Sequence, residues 1–152
     1  MSTRGPGRAD VAAMASRVSR AFVAAERPIL DAVELSMWEY IVLSALYDGP
    51  LRTQSALAEA IGADKTRIIP VLDQLEVRSL IVRQPDPNDR RARILSLTDE
   101  GVSLHRKARS AIRSNEDRIL QVLPESVRRG FVAALSVLDE QPPELFFPSR
   151  SQ

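Results

Sequence analysis

The chain has 152 residues, 44% of them hydrophobic, and a formal charge of +1 at pH 7, a composition that supports one packed domain with helical extensions. It contains no cysteine, which excludes disulfides, thiolate zinc sites and thiol-based redox switches. A single histidine, His105, gives little basis for a metal cluster or a catalytic triad, and we expect no metal and no cofactor. No stretch approaches the roughly 18 apolar residues of a membrane span, and the first ten residues carry no apolar run. We therefore expect a cytoplasmic protein with no membrane partner.

Two helices are predicted in the N-terminal third of the chain. Apolar side chains recur at helical spacing over residues 9–32, which predicts the first helix. Pro28 lies inside it and should kink or divide that helix. The second helix is predicted to follow Ser36, because Ser36 and Glu39 have the spacing of a capping box. The turn-forming sequence DGP at 48–50 ends it.

The next segment has the spacing of a helix-turn-helix. Thr53 can cap a short helix over residues 54–61, and Gly62 follows at its end. Asp64 can cap a further helix over residues 65–79. Two short helices separated by a turn with a glycine are typical of this motif.

A β-hairpin and two further helices complete the predicted elements. Strands over residues 80–83 and 92–97 flank the turn sequence QPDPND and predict a hairpin. Thr98 can cap a fifth helix that continues to about residue 123, and Pro124 can begin a sixth. The last residues, EQPPELFFPSRSQ, contain three prolines and should not extend this helix.

This order of elements resembles the MarR family of bacterial transcription regulators. The most specific match is DRRARILSLTDEG at residues 89–101, which is similar to the family's wing signature of Asp-x-Arg before a strand that ends Leu-Thr-x-x-Gly. Residues 35–43, 54–58 and 72–76 are similar to the second helix, the third helix and the recognition helix of the family. The resemblance covers nearly the whole chain, about residues 9–138. It implies a mainly α fold with a small β-hairpin wing (α+β), that is, a winged helix-turn-helix with flanking dimerisation helices.

The resemblance also implies an organisation into three segments. These are an N-terminal dimerisation helix at 1–34, a DNA-binding winged helix-turn-helix at 35–98, and C-terminal dimerisation helices with a tail at 99–152. It implies a homodimeric repressor that binds a pseudo-palindromic operator in double-stranded DNA and is released by a lipophilic or aromatic ligand. The apolar residues expected at the dimer interface are Val11, Val18, Phe22, Ile112, Ile119, Phe131, Leu135 and Leu138.

Candidate DNA contacts lie on the recognition helix and on the wing. The first turn of the recognition helix is where helix-turn-helix proteins address bases and phosphates, and Arg67 there is expected to contact a base. Arg91 matches the family's wing-tip arginine, and a guanidinium on a hairpin tip can enter a minor groove. Asp89 can pair with an arginine and orient it. The full set of candidates is Thr53, Gln54, Ser55, Lys65, Thr66, Arg67, Asp89, Arg90, Arg91 and Arg93.

Several residues have more than one interpretation. Pro70 departs from the family, in which this position is often polar or basic, and it should bend or loosen the recognition helix. Trp38 and Tyr40 are candidates for a ligand pocket, although aromatic residues at helical spacing more often belong to the core, where we assign Tyr40. His105 is expected to be solvated or at an interface. The pair Phe146-Phe147 should dock on a partner subunit, with a mobile extension as the alternative.

The alternative function is a winged-helix module that binds protein partners and has no operator of its own. An enzyme is not expected, because the sequence offers no phosphate-binding glycine loop, metal ligand set or nucleophile elbow. The two binding functions differ in their salt dependence, since contacts to DNA phosphates weaken steeply as salt rises.

Overall fold

A computed structural model describes residues 10–49 and 52–146 of the chain. The fold is mainly helical with a small antiparallel sheet, as predicted. In chain order the elements are α1 (Val11–Asp31), α2 (Met37–Asp48), β1 (Arg52–Thr53), α3 (Gln54–Ala60), α4 (Lys65–Val77), β2 (Ile81–Pro85), β3 (Arg93–Leu97), α5 (Asp99–Leu120), α6 (Glu125–Asp139) and α7 (Pro143–Phe146).

The chain divides into two compact units, residues 1–113 and 114–152, with α5 crossing the boundary. The first unit has a hydrophobic core to which α1 to α5 and the sheet all contribute. Its fully buried side chains include Leu30, Leu43, Leu57, Ile68, Leu72, Leu75, Ile81 and Leu95. In the second unit, by contrast, no residue of α6 is buried.

The predicted helix caps are confirmed. Ser36 accepts the Glu39 backbone N–H, and a Glu39 carboxylate oxygen accepts the Ser36 N–H in return, which completes the capping box. The other Glu39 oxygen accepts from Arg78 at 3.1 Å and so links the start of α2 to the end of α4. The side chains of Thr53 and Asp64 accept backbone N–H groups in the first turns of α3 and α4. Each cap satisfies a donor that a helix end would otherwise leave unpaired.

The prolines inside α1 and α4 do not end these helices. α1 continues through Pro28 to Asp31, so the predicted division of this helix at Pro28 is wrong. Pro28 lies close to the C-terminal end, where few hydrogen bonds remain to be lost. α4 likewise continues through Pro70 to Val77. A bend at either proline stays a prediction.

The sheet has three antiparallel strands in the order β1-β3-β2. The hairpin of β2 and β3, here called the wing (residues 81–97), was predicted, whereas β1 was not. Thr53 of β1 lies opposite Ile94 of β3, and Pro85 of β2 lies opposite Arg93. Because Thr53 also caps α3, this pairing attaches the start of α3 to the wing.

The leucine-threonine-x-x-glycine motif forms a backbone junction between the wing and α5. The Thr98 hydroxyl donates to the Ser79 carbonyl at 2.6 Å and accepts the Gly101 N–H at 3.0 Å. The Thr98 N–H donates to the Leu80 carbonyl at 3.1 Å. A Cβ on Gly101 would lie 2.0 Å from that same carbonyl oxygen. The motif therefore needs threonine for its hydroxyl and glycine for its lack of a side chain.

The end of the chain contains one short helix beyond α6. As predicted, α6 stops before the proline-rich tail, but residues 143–146 form the four-residue helix α7. Phe146 is exposed there, and Phe147 lies outside the described residues. Within residues 10–49 and 52–146, no helix is both long and apolar enough to span a membrane.

Candidate nucleic-acid interface

The start of α4 presents polar and cationic side chains to solvent. Lys65, Thr66 and Arg67 are all exposed, whereas Ile68 on the opposite face is buried in the core. The Asp64 carboxylate accepts the Thr66 N–H at 3.0 Å. Hydrogen bonds from the Thr66 backbone and side chain, together with the charge of Arg67, lower the pKa of Asp64. Asp64 is thus a cap, and the three residues after it are free to contact a ligand outside the fold.

Ile69 on the same helix was not among the predicted contacts. Its side chain is 41% exposed beside Thr66 and Arg67, away from the buried stripe of α4. It could have been found from the sequence, because Ile69 does not share the helical spacing of the buried residues Ile68, Leu72 and Leu75. An exposed apolar group on a recognition helix suits contact with a thymine methyl group.

The tip of the wing is an ordered turn. Asp86 accepts the Asn88 N–H at 2.8 Å, and Asp89 accepts the Arg91 N–H at 2.9 Å. Asp89 therefore fixes the backbone of Arg91, so the expectation that it pairs with an arginine side chain is corrected. The reason is local, since a short Asp side chain readily bonds the backbone two residues ahead. The Arg91 guanidinium is left exposed on an ordered support.

Two ion pairs join the wing to α4. Arg83 of β2 contacts Glu76 at 2.6 Å and Asp73 at 2.7 Å. Burial lowers the pKa of Arg83, but the two carboxylates outweigh that effect and the pKa is raised. Sequence reasoning missed this contact, although Asp73 and Glu76 have the i, i+3 spacing that places them on one helix face. These ion pairs attach strand β2 of the wing to the recognition helix.

The third group of candidates lies where α3 meets the sheet. Thr53 and Gln54 are half-buried and Ser55 is exposed. The Thr53 hydroxyl already accepts the Ala56 N–H at 3.2 Å, so its first role is to cap α3. The β1–β3 pairing places these residues beside the strand that begins at Arg93. Of the predicted contacts, the side chains of Ser55, Lys65, Thr66, Arg67, Asp89, Arg90, Arg91 and Arg93 are exposed.

The two aromatic candidates for a ligand pocket face different surroundings. Trp38 lines an open cleft of about 650 Å³ together with the 62–64 turn and the first turns of α4. Tyr40 is not among the residues lining that cleft. Its ring stacks on His105 with a centroid distance of 5.6 Å and packs against the core, as assigned.

His105 is fully buried at 0% exposure, so the expectation of a solvated or interface side chain is wrong. It lies between Gly101 and Ala108 on the buried face of α5. Its Nε2 is 3.0 Å from the Ser44 hydroxyl, and its ring centroid is 4.6 Å from that of Tyr47. Burial lowers the pKa of His105, the charges of Arg109 and Arg113 lower it further, and Asp48 opposes them. The ring is a neutral core group.

The predicted dimer contacts differ in exposure. Val11, Val18, Leu135 and Leu138 are exposed, and Phe22, Ile119 and Phe131 are half-buried. Ile112 is 4% exposed and belongs to the core of the first unit. Its side chain is already packed within its own chain, so we withdraw it from the interface set.

A capped helix with an exposed cationic start, joined by ion pairs to a basic hairpin, defines a winged helix-turn-helix of the DNA-binding class. The sequence model of the MarR family matches residues 35–92. A Thauera aromatica protein described as a transcriptional regulator for the hcr operon is 32% identical over 105 residues, which are 69% of this chain and 63% of that protein. Residues 35–92 are a MarR-family winged helix-turn-helix.

Solved structures agree with this assignment. The transcriptional repressor CouR bound to a 23-mer DNA duplex is 27% identical, with a TM-score of 0.75 over 86% of this chain and 93% of that one. CouR from Rhodococcus jostii RHA1 bound to p-coumaroyl-CoA is 26% identical, with a TM-score of 0.71 over 95% and 96% of the two chains. This chain covers less than two thirds of the length of the curated relatives that its sequence matches.

Proposed function

We propose that the chain is a sequence-specific DNA-binding regulator of transcription and not an enzyme. It acts as a cytoplasmic repressor on a pseudo-palindromic operator. The observation that carries the proposal is the pair of exposed basic groups, at the start of α4 and at the wing tip, on two elements that the ion pairs of Arg83 join. One group suits a major groove and the other the adjacent minor groove. The DNA complex of the similar repressor CouR supports this assignment.

The functional form in this proposal is a homodimer. α1 and α6 each carry exposed apolar side chains, and α6 buries none of its residues. Large exposed apolar faces of this kind mark association surfaces. A second copy can cover them and would place two α4 helices about one helical turn, roughly 10 bp, apart on DNA. Segments 1–34 and 99–152 then serve dimerisation, and segment 35–98 binds DNA. The exposed apolar residues are Val11, Met14, Val18 and Val23 on α1 and Val127, Val132, Leu135, Val137 and Leu138 on α6.

Release of DNA by a small lipophilic or aromatic ligand completes the proposal. Support comes from the similar CouR of Rhodococcus jostii RHA1, which binds p-coumaroyl-CoA. Trp38 and Tyr40 remain the candidate ligand contacts. Of the two, only Trp38 lines the open cleft beside α4, so it is the more accessible candidate.

Binding-site selection from genomic DNA with the purified chain tests the regulator function. We expect a two-fold symmetric consensus, and an affinity whose logarithm falls linearly with the logarithm of salt concentration, with a slope of about −0.9 per phosphate contact. A shuffled duplex of equal length is the control. Absence of any preferred sequence, together with a flat salt response, would instead favour the module that binds protein partners.

A further inference from the structure

The only tryptophan of the chain lies against the DNA-reading end of α4. Trp38 is half-buried at the start of α2, and the Cζ atom of Arg67 lies over its ring at 5.5 Å from the centroid. Both side chains line the same open cleft, which Pro70 borders one turn further along α4. The residue expected to read a base is thus in contact with an aromatic residue from another helix.

This contact restrains Arg67 without using its hydrogen-bond donors. A guanidinium is attracted to the face of an indole, while its five N–H groups point outward in its own plane. Asp64, whose charge attracts Arg67, accepts the Thr66 N–H and makes no ion pair with the guanidinium. Among the described residues Arg67 makes no ion pair, and the Trp38 ring is the group over which its guanidinium lies.

We propose that Trp38 is a positioning residue that holds Arg67 for base readout and so raises sequence discrimination more than general affinity for DNA. This inference rests on the proposed function, in which α4 enters the major groove. A free arginine side chain loses rotamer freedom when it binds a base, and restraint before binding reduces that cost. Binding to DNA of unrelated sequence depends on phosphate contacts and gains little from this restraint.

The test uses the full chain with Trp38→Leu, which keeps an apolar side chain without a π face, and Trp38→Phe, which keeps an aromatic ring. The measured quantity is the ratio of Kd for a shuffled duplex to Kd for the selected operator, at one salt concentration. We expect Trp38→Leu to lower this ratio about two- to five-fold per subunit, the range of an exposed cation–π contact, and Trp38→Phe to retain most of it. Affinity for the shuffled duplex should stay unchanged.

A double-mutant cycle with Arg67→Ala identifies the route of the effect. In the Arg67→Ala background, Trp38→Leu should cause no further loss of discrimination, because the interaction is already absent. An undiminished effect in that background would show that Trp38 acts through packing, and would overturn the inference.

Fluorescence supplies a second readout that needs no DNA. Since Trp38 is the only tryptophan, Arg67→Ala should shift the emission of the free protein. Identical emission spectra would show that the contact does not exist in solution. A wild-type chain without operator preference would overturn the proposed function together with this inference. An operator preference in the wild-type chain with the same ratio of Kd values in Trp38→Leu would overturn the inference alone.

Discussion

Substitution of Gly101 by alanine tests whether the junction between the wing and α5 has the geometry described. The new Cβ would lie 2.0 Å from the Leu80 carbonyl oxygen, about 1.4 Å short of ordinary van der Waals contact. That oxygen cannot move freely, because it accepts the Thr98 N–H where β2 begins. Overpacking of this kind costs about 1–3 kcal/mol, and alanine regains about 0.5–1 kcal/mol through its higher helix propensity. We expect a net loss of about 1–2 kcal/mol.

Gly130→Ala is the matched control for this experiment. Gly130 lies inside α6, and no atom stands within 4 Å of the position that its Cβ would occupy. Within one chain only the gain in helix propensity then applies, so the same substitution should stabilise the single chain by about 0.5–1 kcal/mol.

Thermal unfolding followed by far-UV circular dichroism measures both variants, at one protein concentration because association shifts apparent stability. For a chain of this length, Gly101→Ala should lower the midpoint temperature by about 2–8 °C and Gly130→Ala should raise it slightly. If Gly101→Ala stabilised the chain as much as Gly130→Ala does, the close approach to Leu80 would be refuted.

Three further predictions concern the core, the wing contact and the wing tip. Below about pH 6.5 His105 takes up a proton in the unfolded chain, whereas burial of the ring opposes protonation in the folded chain. The free energy of unfolding should therefore fall on acidification by up to about 1.4 kcal/mol per pH unit. His105→Gln should remove this part of a urea-unfolding pH profile. Arg83→Gln should lower the free energy of unfolding by about 0.5–2 kcal/mol and speed amide hydrogen exchange in the wing. Arg129→Gln, which breaks only the exposed contact with Glu125, should do neither. Equal exchange rates in the two variants would contradict the contact between the wing and α4. Arg91→Ala should weaken binding to all DNA sequences and reduce the salt slope by about 1 per contact. The control is Lys107→Ala, which removes an exposed positive charge on α5. Loss of the fold in Arg91→Ala would instead show that this arginine is structural.

Locally encoded features were predictable from the sequence. The Ser36–Glu39 capping box depends on two side chains three residues apart, and both hydrogen bonds are present. The caps at Thr53 and Asp64 are equally local. The wing followed from two short apolar runs around a turn rich in proline and aspartate. Such signals lie within one turn or one hairpin, where spacing alone decides which groups meet.

Features that depend on tertiary contacts were missed or misassigned. β1 has two residues and no periodicity of its own, and it exists only because β3 offers it a partner. The pairing of Arg83 with α4 joins residues on different elements. His105 is a different case, because its spacing from Ala108 and Ile112 already placed it on the buried face of α5. The prediction of a solvated His105 was wrong because it followed the general preference of histidine for polar surroundings and not this spacing.

The absence of buried side chains in α6 has a consequence for how the protein behaves in a cell. A helix that buries nothing within its own chain gains most of its stability from whatever covers it. If a second copy covers it as proposed, the folded fraction of α6 depends on how many copies the cell contains. At low copy number the chain would dissociate, and its uncovered α6 would be more open to proteolysis. Expression level would then control repression both through dimer formation and through the lifetime of the chain.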